Sequence, residues 1–94
     1  MKYRKKPVAI EARQFTEESK DKVYNWASEI QQNIQPSWDK EGKPCLLIPT
    51  LEGEIICSFG DYLIVEPFPT DWRKIYPCKE SIFNKTYEKV EDED

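Results

Sequence analysis

Along the first part of the chain Val8, Ile10 and Ala12 alternate with Ala9, Glu11 and Arg13, which is the two-residue period of a half-buried strand. The period then changes. Val23, Trp26, Ala27 and Ile30 fall at i, i+3, i+4 and i+7, which predicts one amphipathic helix of about 15 residues. Thr16 reads as its N-cap, Glu17 and Glu18 suit the positive helix end, and the helix should stop near Asn33, before Pro36. Residues 35–44 hold two prolines, a glycine and alternating charge, so they read as a loop, with Trp38 tucked back onto the core.

Alternation returns from Cys45 to Pro49, followed by a turn at Leu51-Glu52-Gly53-Glu54 and a return strand from Ile55 to Phe59. Gly60-Asp61 makes a second corner, Tyr62 to Glu66 runs back, and Trp72 to Cys78 follows a proline-interrupted loop, with Pro77 near the strand end. These strands predict a meander. Glu80 to Lys85 reads as a short helical turn pinned by Ile82 and Phe83, and Thr86 to Val90 as an edge strand. The pattern is therefore that of an α+β protein: one main amphipathic helix packed on a mostly antiparallel sheet of about five or six strands, with a short C-terminal helical turn. Residues 1–90 are expected to form a single domain and 91–94 a solvated acidic tail.

Composition sharpens this in two places. Only 38% of the 94 residues are apolar, but three Trp, five Tyr and four Phe are among the aromatic and apolar positions, which predicts a thin, aromatic-rich core. No run of about 18 apolar residues and no charged-then-apolar leader occurs, so neither a membrane span nor a signal peptide is expected, and the cytosol is the expected compartment. Cys45, Cys57 and Cys78 are odd in number and lack C-x-x-C spacing, and they sit in or beside apolar runs, as reduced structural thiols do.

The chain contains no histidine. That removes Ser-His-Asp and Cys-His nucleophiles, histidine general bases and nearly all catalytic zinc arrangements. Of the remaining carboxylates, Asp61 follows a glycine at a hairpin corner and reads as a turn residue, and no spacing compels a metal-holding cluster. The expectation is a protein that is not an enzyme, with no cofactor and no metal.

Lys6-Pro7-Val8-Ala9-Ile10-Glu11-Ala12, Thr50-Leu51-Glu52-Gly53-Glu54, Gly60 to Ile64 and Tyr76 to Glu88 together resemble a family of small, mostly uncharacterised proteins of tailed phages and prophages. The family pattern runs K-P-V-x-I-E-A, T-x-E-G-E, G-D-Y-I-I and Y-P-C-K-x-x-I-F-x-x-T-Y-E, and the match is nearly end to end. Two departures stand out: Phe59 replaces the usual proline, and Glu66 to Lys74 is longer and more aromatic than the usual connection. The resemblance implies a dispensable accessory protein acting in the cytoplasm of a bacterial host, where many such proteins neutralise defences by binding something.

Three functions fit that implication. A sponge for a nucleotide immune signal, cyclic or linear, needs aromatic faces for a base and cations for phosphate. Candidates are Arg13, Trp38, Trp72, Arg73, Lys74, Tyr76 and Lys79, and a pocket between two copies would enclose more of a ligand than one copy can. Another is an inhibitor that binds a host defence protein, helped by a net charge of −4. A small structural or assembly component is a third option. Direct nucleic-acid binding is disfavoured, because Lys2, Arg4, Lys5 and Lys6 form a short arm and not a broad patch.

Overall fold

A computed structural model describes residues 1–3, 9–70 and 73–88. Its elements run β1 (Ala12–Gln14), α1 (Lys20–Ile30), β2 (Gln35–Trp38), β3 (Pro44–Thr50), β4 (Gly53–Cys57), β5 (Tyr62–Val65), β6 (Ile75–Cys78) and α2 (Glu80–Thr86). The fold is α+β, but the strands form two antiparallel three-stranded sheets, β1-β5-β6 and β2-β3-β4, where one sheet was expected. Among the described residues there are two helices, α1 and the seven-residue α2, which stands where a short helical turn was expected.

The division falls at the corner after β4. Gly60 takes a positive φ of 96°, and its N–H donates to the Phe15 carbonyl while Phe15 N–H donates to the Asp61 carbonyl. Asp61 is buried, and its carboxylate accepts the Ser58 N–H at 3.0 Å, closing the turn as its place in the sequence suggested. These bonds tie the corner to the end of β1. β5 consequently pairs with β1 and β6, and the expected meander breaks there.

β2 replaces part of the expected loop. Pro36 stands opposite Leu46 on an outer strand. The neighbouring bond from Asp39 N–H to the Lys43 carbonyl sets the alternation, which points the missing N–H of Pro36 away from β3. Trp38 at the strand end is 71% exposed, so it is not tucked onto the core.

α1 starts later than Thr16. The Thr16 hydroxyl oxygen accepts the Ser19 N–H, and Ser19 Oγ donates to the Gln14 carbonyl at 2.7 Å and accepts the Thr16 N–H. A side-chain-held turn thus occupies the segment that periodicity assigned to the first helical turn. Downstream the expected stripe holds: Val23 and Ala27 are buried, with Tyr24, Trp26 and Ile30 packed against the core. At the other end Asn33 adopts a positive φ of 67° and turns the chain toward β2.

The core joins Phe15, Val23, Ala27 and Ile34 to Leu46, Ile48 and Cys57 of one sheet and Leu63 and Ile75 of the other. Gln31, just past α1, links the same two sheets: its amide donates to the Pro49 carbonyl at 3.2 Å and accepts the Lys74 N–H at 3.4 Å. Ile64 faces the opposite side of β1-β5-β6 and is also fully buried, on the face where Tyr62 meets Phe83 of α2. Ile82 is 56% exposed, so Phe83 alone of the two expected plugs packs inward. Thr86 ends α2 and does not begin an edge strand, and residues 89–94, with the expected tail, lie outside the described residues.

Candidate functional site

β4 and β6, the adjoining outer strands of the two sheets, approach to Cα separations of 8 Å or less without pairing. Beside them opens a cleft of about 640 Å³. One wall is the β3–β4 hairpin, with Ile48, Thr50, Leu51, Glu52 and Ile55. The other is β6 and the segment before it, with Thr70, Arg73, Ile75, Tyr76 and Pro77. The hairpin wall follows from register: Ile48 and Ile55 are direct cross-strand partners, so their side chains share a face.

Arg73 and Tyr76 pair a cation with an aromatic ring in the cleft, whose other polar lining is Thr50, Glu52 and Thr70. The Arg73 guanidinium lies 4.3 Å from the Tyr76 ring centroid, and its Nε donates to Glu66 Oε2 at 3.1 Å. Among the described residues Glu66 engages Nε, which leaves the two Nη groups, with four N–H, as further donors on a planar cation. Burial, followed by hydrogen bonding with Tyr87, pushes the Tyr76 hydroxyl up to about 12, against a smaller opposing pull from Arg73. Tyr76 is therefore a neutral hydrogen-bonding group at any physiological pH.

The other expected site residues are dispersed. Arg13 stacks on Trp26 at 4.7 Å, and Trp26 Nε1 donates to Glu11, so this pair belongs to the seam between β1 and α1. Trp38 lies at the end of β2, on the outer strand of the other sheet. Lys74 is exposed and contributes its backbone N–H to Gln31, and Lys79 is exposed at the start of α2. Trp72 lies outside the described residues, as does Asp71. Of the seven, Arg73 and Tyr76 line the cleft together.

The hairpin wall was missed by sequence reasoning, although Leu51 at a turn and Ile55-Ile56 on a strand facing outward were a signal. Leu51 is 68% exposed, Ile55 43% and Ile56 52%, more than a connecting hairpin requires. Cys45 and Cys57 are buried and Cys78 half-buried, all as free thiols. Burial pushes Cys57 up to about 12, with the negative charge of Asp61 adding to it. Such a thiol is a packing group and not a nucleophile. Among the described residues no three Cys, Asp or Glu side chains are grouped so as to hold a metal ion, and no helix is long and apolar enough to cross a membrane.

Compared with protein-family models, with curated proteins and with solved structures, the chain matches none.

Proposed function

We propose that the chain is a non-enzymatic phage accessory protein that captures a nucleotide signal of the host's defence in the cleft beside β6. The observation that supports this most is the Arg73–Tyr76 stack on the wall of a cleft that Ile48, Leu51, Ile55 and Ile75 also line. A nucleotide needs a phosphate partner next to an apolar slot for its base and sugar. The free Nη groups of Arg73 suit a phosphate in bidentate geometry, and Ile48, Leu51, Ile55 and Ile75 supply the slot. The assignment to a phage, and with it to the bacterial cytoplasm, rests on the motif resemblance. A second copy closing over the cleft would complete the enclosure of a ligand.

Calorimetric titration of the purified protein with a panel of cyclic and linear nucleotides tests the reading. At least one should bind with Kd of about 10 μM or tighter, and Arg73→Ala should weaken it by about tenfold or more. Absence of binding across the panel at about 1 mM, or an affinity indifferent to Arg73→Ala, overturns it.

A second reading, direct inhibition of a host defence protein, is favoured by a separate observation. The outer edge of β6 runs along the same cleft, and among the described residues no strand is hydrogen-bonded to it.

A further inference from the structure

The polar side chains of the cleft divide into groups already engaged and groups left over. Thr50 Oγ1 donates to the Gly53 carbonyl and accepts the Glu52 N–H at 3.2 Å, which closes the hairpin tip. Thr70 Oγ1 accepts the Arg73 N–H at 3.0 Å, and the Tyr76 hydroxyl hydrogen bonds with Tyr87. On the β6 wall this leaves the Nη groups of Arg73. On the hairpin wall it leaves the carboxylate of Glu52, which lines the cleft and, among the described residues, meets no ion pair or hydrogen bond.

Glu52 is placed by its turn. Thr50 and Gly53 are cross-strand partners, so Leu51-Glu52 is a two-residue loop, and Gly53 takes a positive φ of 123° to close it. Register thus fixes the backbone of Glu52 at the rim while its side chain stays exposed. The cleft therefore carries both signs of charge, one on each wall. Among the described residues its lining includes Arg73 as a cation, and neither Lys74 nor Lys79.

A ligand that satisfies both walls brings an acceptor to Arg73, hydrogen-bond donors to Glu52 and a flat body to Ile48, Ile55 and Ile75. Of the common nucleobases, guanine alone presents two adjacent N–H donors, at N1 and N2, on one edge, and these match the two oxygens of a carboxylate. Adenine and cytosine set a ring-nitrogen lone pair beside their amino group, which a second carboxylate oxygen would repel. Uracil's N–H stands between two carbonyls. Glu52 also limits the phosphate: with one guanidinium, shared with Glu66, each further phosphate charge would stand uncompensated in a cleft that already holds a carboxylate.

We infer that the nucleotide taken up by the cleft is a guanine nucleotide with a single phosphate, Glu52 selecting the base and Arg73 holding the phosphate. The inference rests on the nucleotide reading of the cleft and narrows it to one base and one charge.

The test titrates the isotopically labelled full chain with the 5′-monophosphates and 3′,5′-cyclic monophosphates of guanosine, inosine and adenosine, and with guanosine triphosphate, followed by calorimetry and amide chemical shifts. Inosine keeps the N1 donor of guanine and lacks the N2 amino group. A guanosine monophosphate should bind about tenfold or more tightly than its inosine and adenosine counterparts and than the triphosphate, because a site built to accept an N–H rejects the analogue without it. The amides of Glu52, Gly53 and Arg73 should shift. Glu52→Gln, an exposed turn change that should leave circular dichroism unaltered, should weaken the guanosine compound by about tenfold and leave the adenosine compounds within about twofold. If a nucleotide binds in an Arg73-dependent way but guanosine has no advantage, or keeps its advantage in Glu52→Gln, the inference falls and the nucleotide reading stands. Tighter binding of the triphosphate overturns the single-phosphate assignment. Absence of binding by every nucleotide overturns the inference and the nucleotide reading together.

Discussion

The rings of Tyr62 and Phe83 lie parallel, 6° apart in orientation with centroids separated by 3.8 Å. Tyr87 continues the column at 5.0 Å from Phe83 and hydrogen bonds with Tyr76, so two residues of β5 and β6 hold the middle and the C-terminal end of α2. α2 spans seven residues and none of them is fully buried, which makes this column its main attachment. Phe83→Ala should cost about 2–3 kcal/mol, less than the ~3–5 for a fully enclosed Phe. Urea unfolding gives the cost, and amide exchange should show that residues 80–86 lose protection first. A loss below about 0.5 kcal/mol would mean that α2 is held by something else.

Trp26 and Trp38 should behave oppositely. Trp26 packs against the core, donates to Glu11 and carries Arg13 on its ring, so Trp26→Ala should cost about 3 kcal/mol. Trp38 is 71% exposed, and Trp38→Ala should change stability by no more than about 0.5 kcal/mol. Thermal unfolding of the two variants side by side checks both, and near-equal losses would contradict the burial difference.

What the sequence disclosed depended on whether local pattern or distant pairing decided each element. α1, β3, β4 and β5 carry their period in their own residues, such as Val23-Ala27 and Leu46-Ile48, and were read within a few positions. The split into two sheets depends on Phe15 bonding to Gly60 and Asp61, a pairing of residues 45 apart that no local period announces. β2 was hidden because Pro36 forbids a central strand and not an outer one. The site was half legible: Arg73 and Tyr76 are cation and aromatic in one short stretch, while Ile48, Leu51 and Ile55 became a wall only when the hairpin folded over β6.

Alkaline stability follows mainly from Cys57 and Tyr76, with Cys45 and Cys78, also pushed up by burial, acting in the same direction. Burial raises Cys57 from 9.0 to about 12 and, with Tyr87, raises Tyr76 from 10.0 to about 12. Both hold their protons more tightly when folded, so the unfolded chain releases protons first and stability falls with rising pH. The protein should be insensitive to these groups below pH 9, lose stability from about pH 9 as unfolded Cys57 ionises, and lose it more steeply above about pH 10. Urea midpoints across pH 8 to 11 should show this, with Tyr76→Phe removing the later part. A midpoint that rises above pH 9 would reverse the sign and refute the account.

The corner that divides the sheets should resist change. A Cβ at residue 60 would sit 3.4 Å from Glu80 Oε2, an ordinary contact, so the cost of Gly60→Ala comes from the φ of 96° and should be about 1–2 kcal/mol. Asp61→Ala, which strands the Ser58 N–H beside a buried site, should cost about 1–3 kcal/mol. Additive losses in the double variant would show two independent effects, whereas adjacency predicts a combined loss smaller than the sum.

Arg73 separates stability from recognition. Its side chain is 60% exposed, so solvent screens its bond to the more enclosed Glu66, and Arg73→Ala should change unfolding free energy by less than about 1 kcal/mol. Binding should respond differently, because a planar fork stacked on Tyr76 presents two nitrogens in a fixed plane and an ammonium does not. Arg73→Lys preserves the charge and should still lose about 1–2 kcal/mol of affinity for a bound nucleotide, whereas Glu66→Gln, which leaves the guanidinium in place and removes its competing carboxylate, should retain or strengthen it. Full affinity in Arg73→Lys would reduce the residue to a point charge. Weakened binding in Glu66→Gln would instead assign the carboxylate the task of holding Arg73 in line, and the unfolding data, flat across all three variants, would keep either result from being a loss of fold.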